Sequence, residues 1–181
     1  GAPPPAVVHV VYAPSQLAGH VELAAAAAGD LATILRGIAD NYGRHRGADH
    51  AAWTSGLLER HRAAVAADAA DLASDADPIH PARIYGELIP RLADDAVVIG
   101  DGGDFVSFAG RYIEPMRPGN WLDPGPYGCL GTGLGYGMAA RVARPDSQVV
   151  LLLGDGAAGF SLMDIDTLVR HDLPLVMVVG N

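Results

Sequence analysis

The sequence contains no lysine, so all twelve of its basic residues are arginines. This absence excludes catalysis through a lysine Schiff base and the phosphate-binding lysine of a P-loop. The net charge of −9 also opposes binding to nucleic acid or to an anionic membrane, since both require a basic face. We therefore expect a small-molecule partner, and neither nucleic acid nor a membrane.

Cysteine and long apolar runs are equally scarce. Cys129 is the only cysteine, which rules out an intrachain disulfide or a cysteine-based zinc site. Cys129 is either a nucleophile or, as we favour, a small buried residue in a glycine-rich turn. No apolar run approaches the ~20 residues that span a bilayer, and residues 1–6 lack the features of a signal peptide. We expect a soluble, cytoplasmic protein.

Apolar strand patterns alternate with helical patterns along the chain. Strands are predicted at residues 7–11, 96–99, 149–153 and 175–179, and helices at residues 81–92, 104–112, 132–143 and 161–171. Strands that are apolar throughout and alternate with helices indicate a parallel sheet covered on both faces. The sequence thus predicts an α/β fold with a doubly wound parallel sheet.

Composition divides the chain into three parts. Residues 1–40 are typical of the end of a first α/β domain, with Asp30 as a candidate helix N-cap. Residues 41–78 show no strand pattern and predict a polar helix inside an interdomain linker. Residues 79–181 carry the main sheet. Because the sequence stops at the end of a buried-looking strand, we expect it to be a piece of a longer protein.

Polar residues follow two of the predicted strands. Gly154-Asp155-Gly156 follows one strand, and Asn181 follows the next, with residues 157–180 between them. That spacing suits one helix and one strand, so both strand ends can meet at the edge of the sheet where ligands of open α/β folds bind. Carboxylate and amide oxygens are ligands that Mg²⁺ accepts. We predict a magnesium diphosphate site, with Asp155 as metal ligand and Asn181 beside it.

Small residues surround the predicted metal ligand. Gly154 and Gly156 keep side chains away from the site, and the amides of Gly156, Ala157 and Ala158, near a helix start, can donate to phosphate oxygens. The alternative is a non-catalytic module that retains the fold without the metal. Asp155 would then be a helix-capping carboxylate and Asn181 a turn residue.

Two other kinds of site are not supported by their motifs. Residues 131–137 read GTGLGYG and follow no strand, whereas the dinucleotide fingerprint G-x-G-x-x-G comes directly after a strand. Ser161 lies in GFSLM rather than in the G-x-S-x-G motif of serine hydrolases. Neither a Rossmann dinucleotide site nor a serine hydrolase is indicated.

The combination of "GDG", a spacer of this length and an Asn at a strand end resembles the signature of thiamin-diphosphate-dependent enzymes. In that family the motif ends in two such residues, and the second supplies the side-chain metal ligand; Asn181 matches the first. Upstream, the segment "YGCLGTGLGYGMAARVARPDSQVVLLLGDG" resembles the family segment that holds the cofactor's rings. The resemblance implies that the Gly128 carbonyl accepts a hydrogen bond from the 4′-amino group and that Leu130 wedges beneath the thiazolium. Leu130 as an ordinary core residue is the alternative.

The segments "GDGGDF" and "WLDPGPYGCLG" are most similar to acetolactate-synthase-like proteins and the related 2-hydroxyacyl-CoA lyases. This resemblance implies a thiamin-diphosphate- and Mg²⁺-dependent enzyme that decarboxylates a 2-keto acid and joins the product to a second carbonyl compound, in branched-chain amino acid biosynthesis. A 2-hydroxyacyl-CoA lyase-like activity is the alternative. Residues 101–105 would lie along the cofactor channel, although Asp104 is equally suited to cap the helix that follows.

The resemblance extends to the start of the chain and to what the chain lacks. Several family members bind FAD or another adenine nucleotide in their central domain, but Val11 and Ala13 stand where relatives carry acidic residues, and only Asp30 remains as a contact. The family's catalytic Glu belongs to a separate domain of a partner subunit, and nothing in this sequence matches that domain. We therefore assign no catalytic residue, expect a homodimer or homotetramer, and predict that the chain is inactive by itself.

Overall fold

The computed structural model describes residues 4–43, 49–115 and 117–181. The chain forms two compact units, Gly1–Glu59 and Arg60–Asn181. The boundary falls inside one long helix, Ala51–Leu72. Each unit is described by itself below.

The first unit contains two parallel strands, β1 (Val7–Val11) and β2 (Leu23–Ala28), followed by helix α1 (Leu31–Tyr42). Asp30 caps α1 as predicted, since its Oδ1 accepts a hydrogen bond from the Thr33 backbone amide at 2.8 Å. Strand β2 was not predicted. Its run of alanines has a low strand propensity, and its extended conformation is stabilised by pairing with β1.

The helix Ala51–Leu72, here α2, lies within residues 41–78, where a polar helix was predicted. None of its residues is buried. Residues 44–48 of the predicted linker lie outside the described residues. The role of this segment as an interdomain linker stays a prediction.

The second unit is built on a four-stranded sheet in the order β4-β3-β5-β6. The strands are β3 (Val97–Asp101), β4 (Trp121–Leu122), β5 (Val149–Gly154) and β6 (Val176–Gly180), and all neighbours are parallel. The helices are α3 (Pro81–Leu88), α4 (Gly103–Tyr112), α5 (Gly133–Ala143), α6 (Asp155–Ser161) and α7 (Ile165–Arg170). Two-residue β4, in a Pro- and Gly-rich loop, was not predicted.

Strand β5 shows how the sheet is covered. Val149, Leu151 and Leu153 pack with residues of α5, α6 and α7 on one face, whereas Val150 and Leu152 pack with residues of α3 and α4 on the other. Each fully buried Leu contributes roughly 1.5–3 kcal/mol relative to exposure. The predicted α/β fold with a parallel sheet covered on both faces is confirmed.

Two predicted helices have different bounds in the structure. Helix α3 ends at Leu88 rather than at residue 92, because Pro90 has no amide hydrogen to continue the helix, and a 3₁₀ turn (Ile89–Arg91) follows. The helix predicted at 161–171 is present only as the shorter α7, Ile165–Arg170, and the 3₁₀ turn Leu162–Asp164 separates it from α6, which begins at Asp155 directly after β5 and was not predicted. The chain therefore turns from strand to helix without a loop at Gly154.

No helix among the described residues has both the length and the apolar character needed to cross a bilayer.

Candidate functional site at the carboxyl edge of the sheet

Strands β5 and β6 end side by side. Gly154 and Gly180, the last residues of the two strands, are register partners in the parallel ladder. Neighbouring strands lie about 5 Å apart, so Asp155 and Asn181 leave the sheet at the same level on adjacent strands. Both residues are exposed. The structure therefore brings together the two positions that the sequence analysis placed at one edge.

The carboxylate of Asp155 is available at this edge. Asp155 is the first residue of α6, whose N-cap is Gly154, and no side chain caps this helix. The side chain of Asp155 makes no hydrogen bond or ion pair with any other residue that the structure describes. A helix-capping role, the alternative offered for this residue, does not match that geometry. The carboxylate can serve as a ligand for a hard cation.

The start of α6 supplies backbone donors beside Asp155. Ala158 was predicted to donate its amide to a phosphate oxygen. In a helix that begins at Asp155, that amide donates to the Gly154 carbonyl instead and is not free for a phosphate. The amides of Gly156 and Ala157 have no acceptor within α6. Gly156 faces open space, since a Cβ built on it meets no atom within 4 Å. An anion can approach the helix start at this point.

The end of β6 packs against the aromatic ring of Phe105. A Cβ built on Gly180 would lie 2.5 Å from Cγ of Phe105, so the ring fits only because residue 180 is a glycine. The Phe105 carbonyl in turn accepts a hydrogen bond from the Tyr85 hydroxyl at 2.5 Å. Burial raises the pKa of Tyr85, which keeps this hydroxyl protonated as a donor. These supports of the strand end were not predicted from the sequence.

The loop before α5 borders the same edge. Gly128 adopts a left-handed conformation (φ 60°), and among the described residues nothing donates a hydrogen bond to its carbonyl oxygen. Leu130 is 43% exposed, so it is not the ordinary core residue that was considered as an alternative. Its Cδ2 lies 1.9 Å from where a Cβ on Gly102 would be, just beyond the end of β3. The loop thus presents a free carbonyl and an apolar side chain at the carboxyl edge.

Asp101, the last residue of β3, is fully buried and fastens this loop. Its Oδ1 and Oδ2 accept hydrogen bonds from the amides of Gly131 and Gly133, each at 2.9 Å. Asp101 was predicted only to lie along a cofactor channel, and this role was not predicted. An Asp that ends an apolar strand was the available signal, because a buried carboxylate requires partners.

Two further predictions are corrected at this edge. Cys129 is exposed, not buried, because the loop 128–130 lies at the open edge of the sheet and no element of the described chain covers it. Asp104 does not cap α4, since the N-cap is Gly102 and Asp104 lies exposed within the first turn. Its place along a cofactor channel stays a prediction.

The donor set at this edge fits Mg²⁺ and a diphosphate better than a metal held by protein alone. The described residues contain no group of three or more His, Cys, Asp or Glu side chains that could hold an ion. Mg²⁺ commonly takes only one or two carboxylates, with phosphate oxygens and water completing its shell. The free carboxylate of Asp155, the unpaired amides of Gly156 and Ala157, and the open space at Gly156 match that requirement.

Comparisons with known families identify the second unit. Residues 101–181 match the family described as "Thiamine pyrophosphate enzyme, C-terminal TPP binding domain". The match begins at Asp101, the last residue of β3, and includes everything after it: the ends of β5 and β6, α6 and the loop that carries Leu130. The candidate site lies entirely within the matched region.

Curated relatives cover more of the chain. "Acetolactate synthase large subunit IlvG" of Mycobacterium tuberculosis is 49% identical over 159 residues, 88% of this chain and 28% of that protein. "2-hydroxyacyl-CoA lyase 2" of Homo sapiens is 42% identical over 106 residues, 59% of this chain and 17% of that protein. The chain therefore spans less than a third of the length of these relatives.

A solved structure shows the same fold. The thiamine diphosphate-dependent 4-hydroxybenzoylformate decarboxylase of Rhodococcus jostii superposes with a TM-score of 0.51 and 26% identity, covering 56% of this chain and 19% of that one. This agreement supports the parallel-sheet α/β architecture of the second unit.

Proposed function

Because this chain belongs to the thiamin-diphosphate-dependent enzymes, we propose that it forms the diphosphate- and metal-binding part of an acetolactate-synthase-like enzyme. The observation that carries the proposal is the register of β5 and β6. It sets the free carboxylate of Asp155 beside Asn181, next to the exposed start of α6. A cation held there would neutralise the charge of a bound diphosphate.

Each residue of the edge has a proposed part in holding the cofactor. Asp155 would bind Mg²⁺, with Asn181 beside the position of a second ligand. The amides of Gly156 and Ala157 would donate to phosphate oxygens, and the lack of side chains at Gly154 and Gly156 leaves room for them.

The rings of the cofactor would rest on the loop before α5. The Gly128 carbonyl is oriented by a left-handed backbone that glycine adopts without strain, and it would accept the 4′-amino group. Leu130 would support the thiazolium with its exposed apolar side chain. When bound, thiamin diphosphate supplies the nucleophilic carbon that adds to a carbonyl carbon and takes up the charge left when a C–C bond breaks.

An acetolactate-synthase-like reaction is the first candidate, because the relative with that name is similar over 88% of the chain at 49% identity. The proposed reaction decarboxylates a 2-keto acid such as pyruvate and joins the remainder to a second carbonyl compound. Cleavage of a 2-hydroxyacyl-CoA is the second candidate, since a lyase of that kind is 42% identical over 59% of the chain.

From the family resemblance we also propose a cytoplasmic homodimer or homotetramer, in which a Glu from a partner subunit's other domain promotes catalysis. No catalytic acid or base is assigned to this chain. A flavin contact is not supported by the first unit, where Oδ1 of Asp30 is engaged by the amide and hydroxyl of Thr33.

Binding and turnover of the full-length protein test the proposal. Calorimetric titration with thiamin diphosphate should show binding in Mg²⁺ and none in EDTA. Formation of acetolactate from pyruvate would then favour the first candidate, and release of formyl-CoA from a 2-hydroxyacyl-CoA the second. A protein that binds no thiamin diphosphate under either condition would be the non-catalytic module instead.

A further inference from the structure

The buried carboxylate of Asp101, at the end of β3, binds the backbone of the loop before α5. Asp101 is 0% exposed, yet both of its oxygens are occupied by backbone amides, those of Gly131 and Gly133 at 2.9 Å. Charge-assisted bonds of this kind are stronger than neutral ones. They run from the strand to a loop about thirty residues further along the chain.

Capping of α5 accounts for only one of the two bonds. Helix α5 begins at Gly133, and its N-cap Thr132 makes no side-chain capping bond, so Asp101 takes over that task from the neighbouring strand. The second bond goes to Gly131, which precedes the helix. Bonds to two alternate amides fix the path of the loop as well as the helix end.

The residue that these bonds fix most closely is Leu130. It lies next to Gly131, and its Cδ2 packs where a Cβ on Gly102 would stand, at 1.9 Å. Gly102 directly follows Asp101. The end of β3 therefore holds the loop through two kinds of contact: hydrogen bonds to the Asp101 carboxylate and apolar packing of Leu130 on Gly102. The Leu130 side chain stays partly exposed at the edge of the sheet.

We propose that Asp101 is a positioning residue for the cofactor site: its two hydrogen bonds set Leu130 and the Gly128 carbonyl in place before any cofactor arrives. The proposal rests on the proposed function of this edge. Because all the contacts come from the chain, the loop is ordered in advance, and binding does not have to order it. Asp101 acts through the loop and touches no reacting atom.

The variant Asp101→Asn of the full-length protein separates positioning from folding. Asn keeps the shape but turns its NH2 group toward one of the two backbone amides, so that bond is lost and two buried donors face each other without an acceptor. The other bond remains but is no longer charge-assisted. We expect the Kd for thiamin diphosphate to rise about ten-fold or more, the effect of losing one such bond. The Kd for magnesium pyrophosphate, which lacks the rings, should stay unchanged.

A matched control is Asn120→Asp, an exchange of the same shape at another buried polar residue (1% exposed) whose Oδ1 bonds to Arg144. It should change neither affinity. If Asp101→Asn weakens both ligands equally, or neither, the positioning role is overturned. If the unaltered protein binds neither ligand, the proposed function fails, and this inference with it.

Amide exchange in the unaltered full-length protein decides the matter even if Asp101→Asn fails to fold. With no cofactor added, the amides of Gly131 and Gly133 should already exchange slowly, and that of Cys129 rapidly. Rapid exchange of Gly131 and Gly133 that slows only on addition of thiamin diphosphate would overturn the proposal, because the cofactor would then be ordering the loop.

Discussion

Replacing Asp155 with Asn should abolish the metal-dependent step of cofactor binding and leave the fold intact. Asp155 is exposed and its side chain bonds to no other described residue, so little packing depends on it. The fold loses only a negative charge in the first turn of α6, a contribution of about 0.3–1 kcal/mol. The thermal midpoint should therefore fall by a few degrees at most.

The loss of binding should be much larger. Residues that merely orient a metal ligand change affinity by about 10–100-fold when they are replaced. A ligand itself should exceed that range, so we expect the Kd for thiamin diphosphate in Mg²⁺ to rise by at least about a hundred-fold, or roughly 2.7 kcal/mol. Calorimetric titration of the full-length variant, with the melting curve recorded alongside, measures both effects.

Asp164→Asn is the matched control, because Asp164 is another exposed Asp at the start of a neighbouring helix, α7, and its side chain also makes no capping bond. It should leave the affinity unchanged. Equal affinities in unaltered protein and Asp155→Asn would refute the assignment of the metal ligand. A fall in affinity matched by a general loss of folding would refute the inference that the fold does not need this carboxylate.

Three further predictions concern other positions. Gly156→Ala should favour α6 by about 0.5–1 kcal/mol, since its Cβ meets no protein atom, yet weaken binding of magnesium pyrophosphate more than about ten-fold; an unchanged Kd in calorimetry would contradict this. Gly180→Ala should cost about 1–3 kcal/mol in urea unfolding because its Cβ overlaps the Phe105 ring, and Phe105→Leu should restore part of that stability; strictly additive effects would contradict the contact. Hydrogen bonds from Thr33 lower the pKa of Asp30, so the α1 cap contributes stability above the usual pKa that is lost as the pH falls through the lowered value. The stability difference between the unaltered protein and Asp30→Ala should therefore shrink on acidification, and a difference that does not vary with pH would argue against the cap.

The main sheet could be predicted from the sequence because its strands are apolar on both faces. Val149 to Leu153 forms an uninterrupted apolar run, and burial of alternate residues on opposite faces of the sheet explains that pattern. The same rule located the ends of β5 and β6. Since parallel strands end at one edge, the meeting of Asp155 and Asn181 also followed from the sequence.

The elements that were missed depend on tertiary contacts. Strand β2 is largely alanine, a residue with low strand propensity, and only its pairing with β1 makes it a strand. Helix α6 contains two glycines, Gly156 and Gly159, and its start therefore resembles a loop in the sequence. Its Ala157 and Ala158 nevertheless pack into the core beside β5, so burial of small side chains fixes a helix that local propensity does not indicate.

The supports of the site were not predictable from spacing alone. Asp101 meets the amides of the loop before α5 from about thirty residues away, and Phe105 meets Gly180 from a still greater distance in the chain. Local sequence patterns do not predict such long-range pairs. These contacts form because the sheet places the end of β3 next to the end of β5.

The position of a bound divalent ion tests the central claim most directly. Crystals of the full-length protein grown with thiamin diphosphate and Mn²⁺ would reveal the ion by its anomalous scattering. We expect one ion within about 2.5 Å of an Asp155 carboxylate oxygen, beside the chain that leaves β6 at Gly180. An ion bound elsewhere, or thiamin diphosphate bound with no ion near Asp155, would contradict the account.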